Sequence, residues 1–161
     1  MKTLKAEMSG FDERQSAASR GGYDRTQDCH EFPGRKHMAR IQGDLKTRTF
    51  MFGKAILDVS DQLPNNVKGW TVGKQVIRSG TSIGSNVREA DNAYTDADFA
   101  HRCNVARREA AETHYWLELC VVCQLLPRET GTRLMAEADE LLRVLSAIVK
   151  KVQTRLETRS R

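Results

Sequence analysis

The chain reads as an all-α protein: an antiparallel up-down four-helix bundle that follows an irregular, disordered N-terminal extension. Three observations predict this. Four stretches between residues 45 and 152 place apolar residues at alternating steps of three and four, the period of a helix buried along one side. Short breaks rich in Pro, Asn, Asp and Gly separate them, as they separate antiparallel neighbours in a bundle. Composition closes off the alternatives: with 3 prolines, 6% aromatic and 29% charged residues in 161, and no run of apolar residues long enough to span a bilayer, collagen-like, sandwich-like and membrane-spanning readings fail.

Residues 1–43 mix Gly, Ser, Asp, Gln and Arg without a sustained period, and their isolated apolar residues bury too little surface to offset ordering entropy. They are expected to form a mobile extension ahead of a bundle over residues 44–158. Met38 stands just before the first periodic stretch and offers an alternative start, which would leave residues 1–37 out of the native protein. The first twenty residues lack the apolar core of a secretory signal, and 4 cysteines make a poor disulfide framework, so a cytoplasmic setting is expected.

In the first helix Leu45, Thr49, Phe52, Ile56, Val59 and Leu63 form one stripe, which stops before Pro64-Asn65-Asn66. The second contains Gly73, Gly80 and Gly84, each worth about 1 kcal/mol against a helix interior. Yet Val72, Val76, Gly80, Ile83, Val87, Ala90 and Tyr94 hold their phase across the glycines, so one continuous helix is predicted. Gly80 and Gly84, one turn apart beside Ser79 and Ser85, would let a neighbouring backbone come close.

The third runs from about Thr95, a capping residue, to Leu126. Its stripe is Phe99, Cys103, Ala106, Ala110, Thr113, Leu117, Cys120 and Gln124, widened by Trp116, Leu119 and Cys123, with Asp96 and Asp98 complementing the positive end of its dipole. Pro127-Arg-Glu-Thr-Gly131 reads as a turn. The fourth helix then carries Leu134, Ala138, Leu141, Leu145, Ile148 and Val152, backed by Leu142 and Val149.

The formal charge is +5, unevenly spread. Residues 1–43 hold 8 basic and 6 acidic residues, 44–149 hold 13 and 14, and 150–161 hold 5 and 1. The bundle is near neutral, and the excess sits in its flanks. A basic tail would give salt-dependent contacts with phosphates, although a solvated charged end is the commoner meaning of such a run.

One segment is distinctive. Arg78, Ser79, Ser82, Ile83, Asn86, Glu89 and Ala90 on the second helix, followed by Glu109, Glu112, Thr113, Tyr115, Trp116 and Leu117 on the third, make a two-part pattern at fixed spacing. Over about residues 46–152 the chain resembles the four helix bundle protein family, also called 23S ribosomal RNA intervening-sequence proteins. The resemblance implies an antiparallel four-helix bundle that assembles as a homopentamer around a central channel. It also implies kinship with accessory proteins of diversity-generating retroelements, which bind a reverse transcriptase and nucleic acid. No enzymatic activity and no cofactor come with it.

Arg78, Ser82, Asn86 and Glu89 fall at steps of 4, 4 and 3, a polar stripe beside the apolar one. In antiparallel pairing Arg78 faces Glu109 and lies within a turn of Glu112, and Asn86 lies opposite His101 and Arg102. A buried or half-buried Arg78–Glu109/Glu112 pair is expected within a structural polar network of Arg78, Ser82, Asn86, Glu89, Glu109 and Glu112. It would set register more than add stability. The rival reading is a carboxylate active site or di-metal centre. The latter wants Glu-x-x-His on two helices, and the chain has none. No enzyme and no metal site are expected.

Cys120-x-x-Cys123 is placed deep in a helix, where buried thiols serve as small apolar residues rather than as a redox or zinc motif. The candidates for contact with RNA or DNA are Arg88, Arg102, Arg107 and Arg108, with Lys150, Lys151, Arg155 and Arg159 of the tail. Acidic neighbours flank several of them, so a salt-bridged surface competes with a binding one. No aromatics are interleaved for base stacking, so binding would be electrostatic and indifferent to sequence. The expected function is a non-enzymatic oligomeric scaffold for structured nucleic acid, a nucleic-acid enzyme such as a reverse transcriptase, or both. The alternative is a bundle that binds only proteins or itself.

Overall fold

The computed structural model describes Ile41 and residues 43–159. The expected mobile extension and the question of residues 1–37 fall on residues outside those described.

Four helices, and no strand, make up the described residues: α1 Gly43–Ser60, α2 Val67–Asp91, α3 Asp96–Val122 and α4 Arg128–Arg159. They run up and down as an antiparallel bundle. Asp91 at the end of α2 takes Lys46 from the start of α1 at 2.8 Å, and Arg159 at the end of α4 reaches Asp96 at the start of α3 at 2.8 Å.

α1 buries Leu45, Thr49, Phe52, Ile56 and Val59. The Thr49 hydroxyl is satisfied locally, donating to the Leu45 carbonyl at 2.9 Å. The helix ends short of Leu63, where the Gln62 and Leu63 amides turn back onto Val59 and Ser60 ahead of Pro64. Asn66 then caps α2, its side-chain oxygen accepting from the Gly69 amide at 3.0 Å.

α2 is continuous through all its glycines, as its phase predicts. Gly80 lies beneath Ile56, where a Cβ would sit 2.8 Å from Ile56 Cγ1, and at Gly84 a Cβ would sit 3.3 Å from the Thr49 carbonyl oxygen. These small residues bring α1 and α2 together, so their helix-propensity loss is offset by the burial of Ile56, Val76, Ile83 and Val87. Each such apolar side chain contributes roughly 1.5–3 kcal/mol when fully buried. Tyr94 leaves the stripe. It falls beyond the helix end and is 89% exposed.

Thr95 caps α3, accepting from the Asp98 amide at 3.0 Å. The end of α3 departs from expectation. The helix stops at Val122, Cys123 is its C-cap, and Gln124 takes a φ of 56° in the left-handed region. The Leu125 amide then bonds the Cys120 carbonyl at 2.8 Å, a return that closes a helix end. Gln124 is therefore a turn residue and exposed, not part of the core. Cys120 is buried and Cys123 exposed, so the Cys-x-x-Cys pair straddles a helix terminus instead of lying deep in a helix.

α4 starts earlier than the sequence suggests. Residues 128–131 are its first turn, and buried Gly131 is needed there because a Cβ would meet Val121 Cγ2 at 2.1 Å. At the other end the basic run is no tail. It is the last part of α4, with Val152 buried and Leu156 packed against the core.

Each helix packs along the next, α1 on α2, α2 on α3 and α3 on α4, while α1 and α4 meet only sparsely. Among the described residues the bundle is thus closed on three sides and open along its fourth.

Candidate nucleic-acid interface

The polar stripe lies on the outer edge between α2 and α3. Arg78 bonds Glu112 through Nη2, and its Nη1 stands 3.9 Å from Glu109. With its side chain 55% exposed, Arg78 lies on the surface, while Glu109, at 16%, is the more enclosed partner. The Trp116 indole also donates to Glu112, at 3.1 Å. The indole bond, the largest influence, holds the Glu112 carboxyl below the ordinary range; burial opposes it, and the Arg78 bond and charge add to the lowering.

Glu109 behaves in the opposite way. Its Oε2 is buried without a hydrogen-bond donor, and burial raises its carboxyl, opposed in part by the Arg78 charge. Asn86, also on this stripe, donates to the Ser82 carbonyl at 2.9 Å and to its hydroxyl at 3.1 Å. Glu89 closes the row by pairing with Arg102. The stripe is therefore a row of three separate contacts, Arg78 with Glu112, Asn86 with Ser82 and Glu89 with Arg102, with Glu109 Oε2 left without a donor. No group of three or more His, Cys, Asp or Glu able to hold a metal ion exists among the described residues.

Burial also pushes the Cys103 and Cys120 thiols up to about 11, leaving them neutral and unreactive at ordinary pH.

The cations sort by what neutralises them. Arg102 is engaged by Glu89 and by Asp98 at 3.6 Å, and Arg159 by Asp96 at 2.8 Å. Arg88 has no carboxylate partner among the described residues and lies over the Phe50 ring, 4.9 Å from its centroid. Among the described residues Arg107 bonds only Asn104, at 3.0 Å, and Arg108 forms no ion pair, although its charge adds to the lowering of Glu112 and partly opposes the rise of Glu109. Lys150, Lys151 and Arg155 have no acidic partner among the described residues.

These side chains do not form one surface. The His114–Asp139 and Arg159–Asp96 contacts register α3 against α4 and set exposed Lys150 level with Asn104, about one turn from Arg107. Arg107, Arg108 and Lys150 therefore share the outer α3–α4 face. Arg107 and Arg108 also border a concavity of about 480 Å³ whose other edge carries Glu109 and Glu112. Lys151 and Arg155 turn the other way, toward α1. Arg88 lies apart, beside Phe50 on α1.

Two features escaped the sequence reading. One is the Arg88–Phe50 stack, together with exposed Trp70 on α2, whose indole donates to Asn65 at 2.8 Å. The other is a bidentate bridge across the sparse side of the bundle, from Arg48 Nε and Nη2 to the two Glu137 oxygens at 2.6 and 2.8 Å. Residues 89 positions apart give no local signal of such a bond.

A family model for the 23S rRNA-intervening sequence protein matches residues 44–147. Among solved structures, the chain is similar to a protein of unknown function from the S23 ribosomal protein family of Bacteroides thetaiotaomicron. The two are 38% identical with a TM-score of 0.62, over 66% of this chain and 98% of that one. No curated protein matches. No helix among the described residues is long and apolar enough to cross a membrane.

Proposed function

The chain belongs to the 23S rRNA-intervening sequence protein family, and from that premise we propose that it is a non-enzymatic, oligomeric scaffold whose outer α3–α4 face contacts the phosphate backbone of structured nucleic acid. The observation that carries this reading is the charge left over on one face. Arg107, Arg108 and Lys150, placed on the same face by the α3–α4 register, have no ion-pair partner among the described residues, whereas Arg102, Arg143 and Arg159 are each held by a carboxylate. Cations without a partner release counterions when they meet phosphate and need give up no internal bond to do so. In a symmetric assembly each copy repeats the face, so a patch too weak for one chain gains by multivalency. A nucleic-acid enzyme such as a reverse transcriptase is the second class of partner, by family resemblance. The expectation of no enzymatic role stays with this proposal.

Light scattering on the full chain, followed by fluorescence anisotropy with a folded RNA hairpin, tests the proposal. A multimer that binds at low salt and releases the RNA as salt rises is expected. A monomer, or anisotropy that stays flat at low salt, overturns it.

A further inference from the structure

The open side of the bundle is a groove of about 360 Å³ between the first turns of α1 and the last turns of α4. Leu45, Phe99, Val144, Ile148 and Val152 form its floor, and Ile41 closes one end. Its rim is charged and asymmetric, with Lys151 and Arg155 on the α4 side and Asp44 on the α1 side. Arg48 also borders it, but that guanidinium is tied up by Glu137. Lys151 and Arg155, without an acidic partner among the described residues, thus supply positive charge beside an apolar floor that is largely buried and on which Val144 and Ile148 are half-buried. Much of the groove is built by the part of α4 beyond residue 147, where the family match ends.

We infer that this groove docks an amphipathic helix of a protein partner, with apolar anchors on the floor and carboxylates against Lys151 and Arg155. The shape favours a helix, because the groove runs between two helices along the side where a further helix would complete the packing. From Val144 to Arg155 it spans about 17 Å of α4, or roughly three turns, the reach of anchors at i, i+3, i+4 and i+7. The open outer wall separates this occupant from an acyl chain, which would leave its outward methylenes in water. An amphipathic helix turns its polar face there. The charge sets the edge: carboxylates face α4, away from Asp44. The site is independent of the nucleic-acid face, because Arg107, Arg108 and Lys150 lie on the α3 side of α4.

The probe is a fluorescein-labelled peptide of roughly 18 residues with Leu at anchor spacing and Glu and Ala elsewhere, compared with its counterpart bearing Lys for Glu. Anisotropy with the full chain should show the Glu peptide binding at least about tenfold more tightly than the Lys peptide. K151E/R155E, which changes only surface charge, should reverse that order. Ile148→Asp should abolish binding of both peptides while the helical circular dichroism persists. Equal binding of the two peptides, or a preference unmoved by K151E/R155E, overturns the inference. So does an assembly that falls apart in Ile148→Asp, since a second copy would then cover the groove. Loss of RNA affinity in K151E/R155E without any change in peptide binding would also overturn it, by assigning the rim to phosphate.

Discussion

Arg78 on α2 bonds Glu112 on α3 and leaves Glu109, one turn away on α3, at 3.9 Å. The two carboxylates share one guanidinium unequally, and Trp116 adds a second donor to the favoured one. A double-mutant cycle should therefore find stronger coupling for Arg78→Met with Glu112→Gln than with Glu109→Gln. Urea unfolding measures both cycles, and equal coupling would show that the guanidinium moves freely between them.

The same asymmetry sets opposite pH dependences. Burial raises Glu109 in the folded protein, so the native state holds that proton more tightly than the unfolded chain. Stability then falls as pH rises from the ordinary carboxyl range through the raised value. Glu112 is lowered by the Trp116 and Arg78 bonds, so its contribution is present above the ordinary carboxyl range and is lost as pH falls through the lowered value. Glu109→Gln should be neutral or slightly stabilising at pH 7, with a flatter profile above the ordinary carboxyl range. Glu112→Gln should be destabilising at pH 7 and converge on the wild type in acid. Urea midpoints measured from acid to neutral pH read both.

Two glycines of the α1–α2 contact should respond with opposite signs. At Gly53 a Cβ would meet only the Thr81 Cα and the Gly80 carbonyl, at 3.8 and 3.9 Å, so Gly53→Ala should gain about 0.5–1 kcal/mol of helix stability. At Gly80 the Cβ would press on buried, β-branched Ile56 at 2.8 Å. Overpacking of that kind costs about 1–3 kcal/mol, so Gly80→Ala should be destabilising despite its better propensity. Ile56→Val in the Gly80→Ala background should recover part of the loss. Thermal melts measure all three.

These cases mark what the sequence carries. Stripes at helical spacing and the cap at Thr95 are properties of consecutive residues, and they foretold the helices, the continuity of α2 and the close approach at Gly80. The end of α3 and the start of α4 were misplaced because the left-handed Gln124 and the fit of Gly131 under Val121 depend on how two helices meet. Register-dependent pairs were legible only where a bundle topology could be assumed, as for Arg78. The neutralisation of Arg159 by Asp96, the bridge from Arg48 to Glu137 and the gap between α1 and α4 join distant parts of the chain. The candidate cations were therefore visible one by one, but their division between two faces was not.

That division is what the proposed function rests on, and the salt dependence of RNA binding tests it most directly. With a folded RNA hairpin, log K should fall linearly with log salt for the full chain. R107A/R108A/K150A, which leaves every ion pair of the bundle in place, should bind more weakly at low salt and lose about 2 to 3 from the magnitude of that slope. An unchanged slope and affinity would contradict the account, as would a wild-type chain that does not bind the hairpin at low salt.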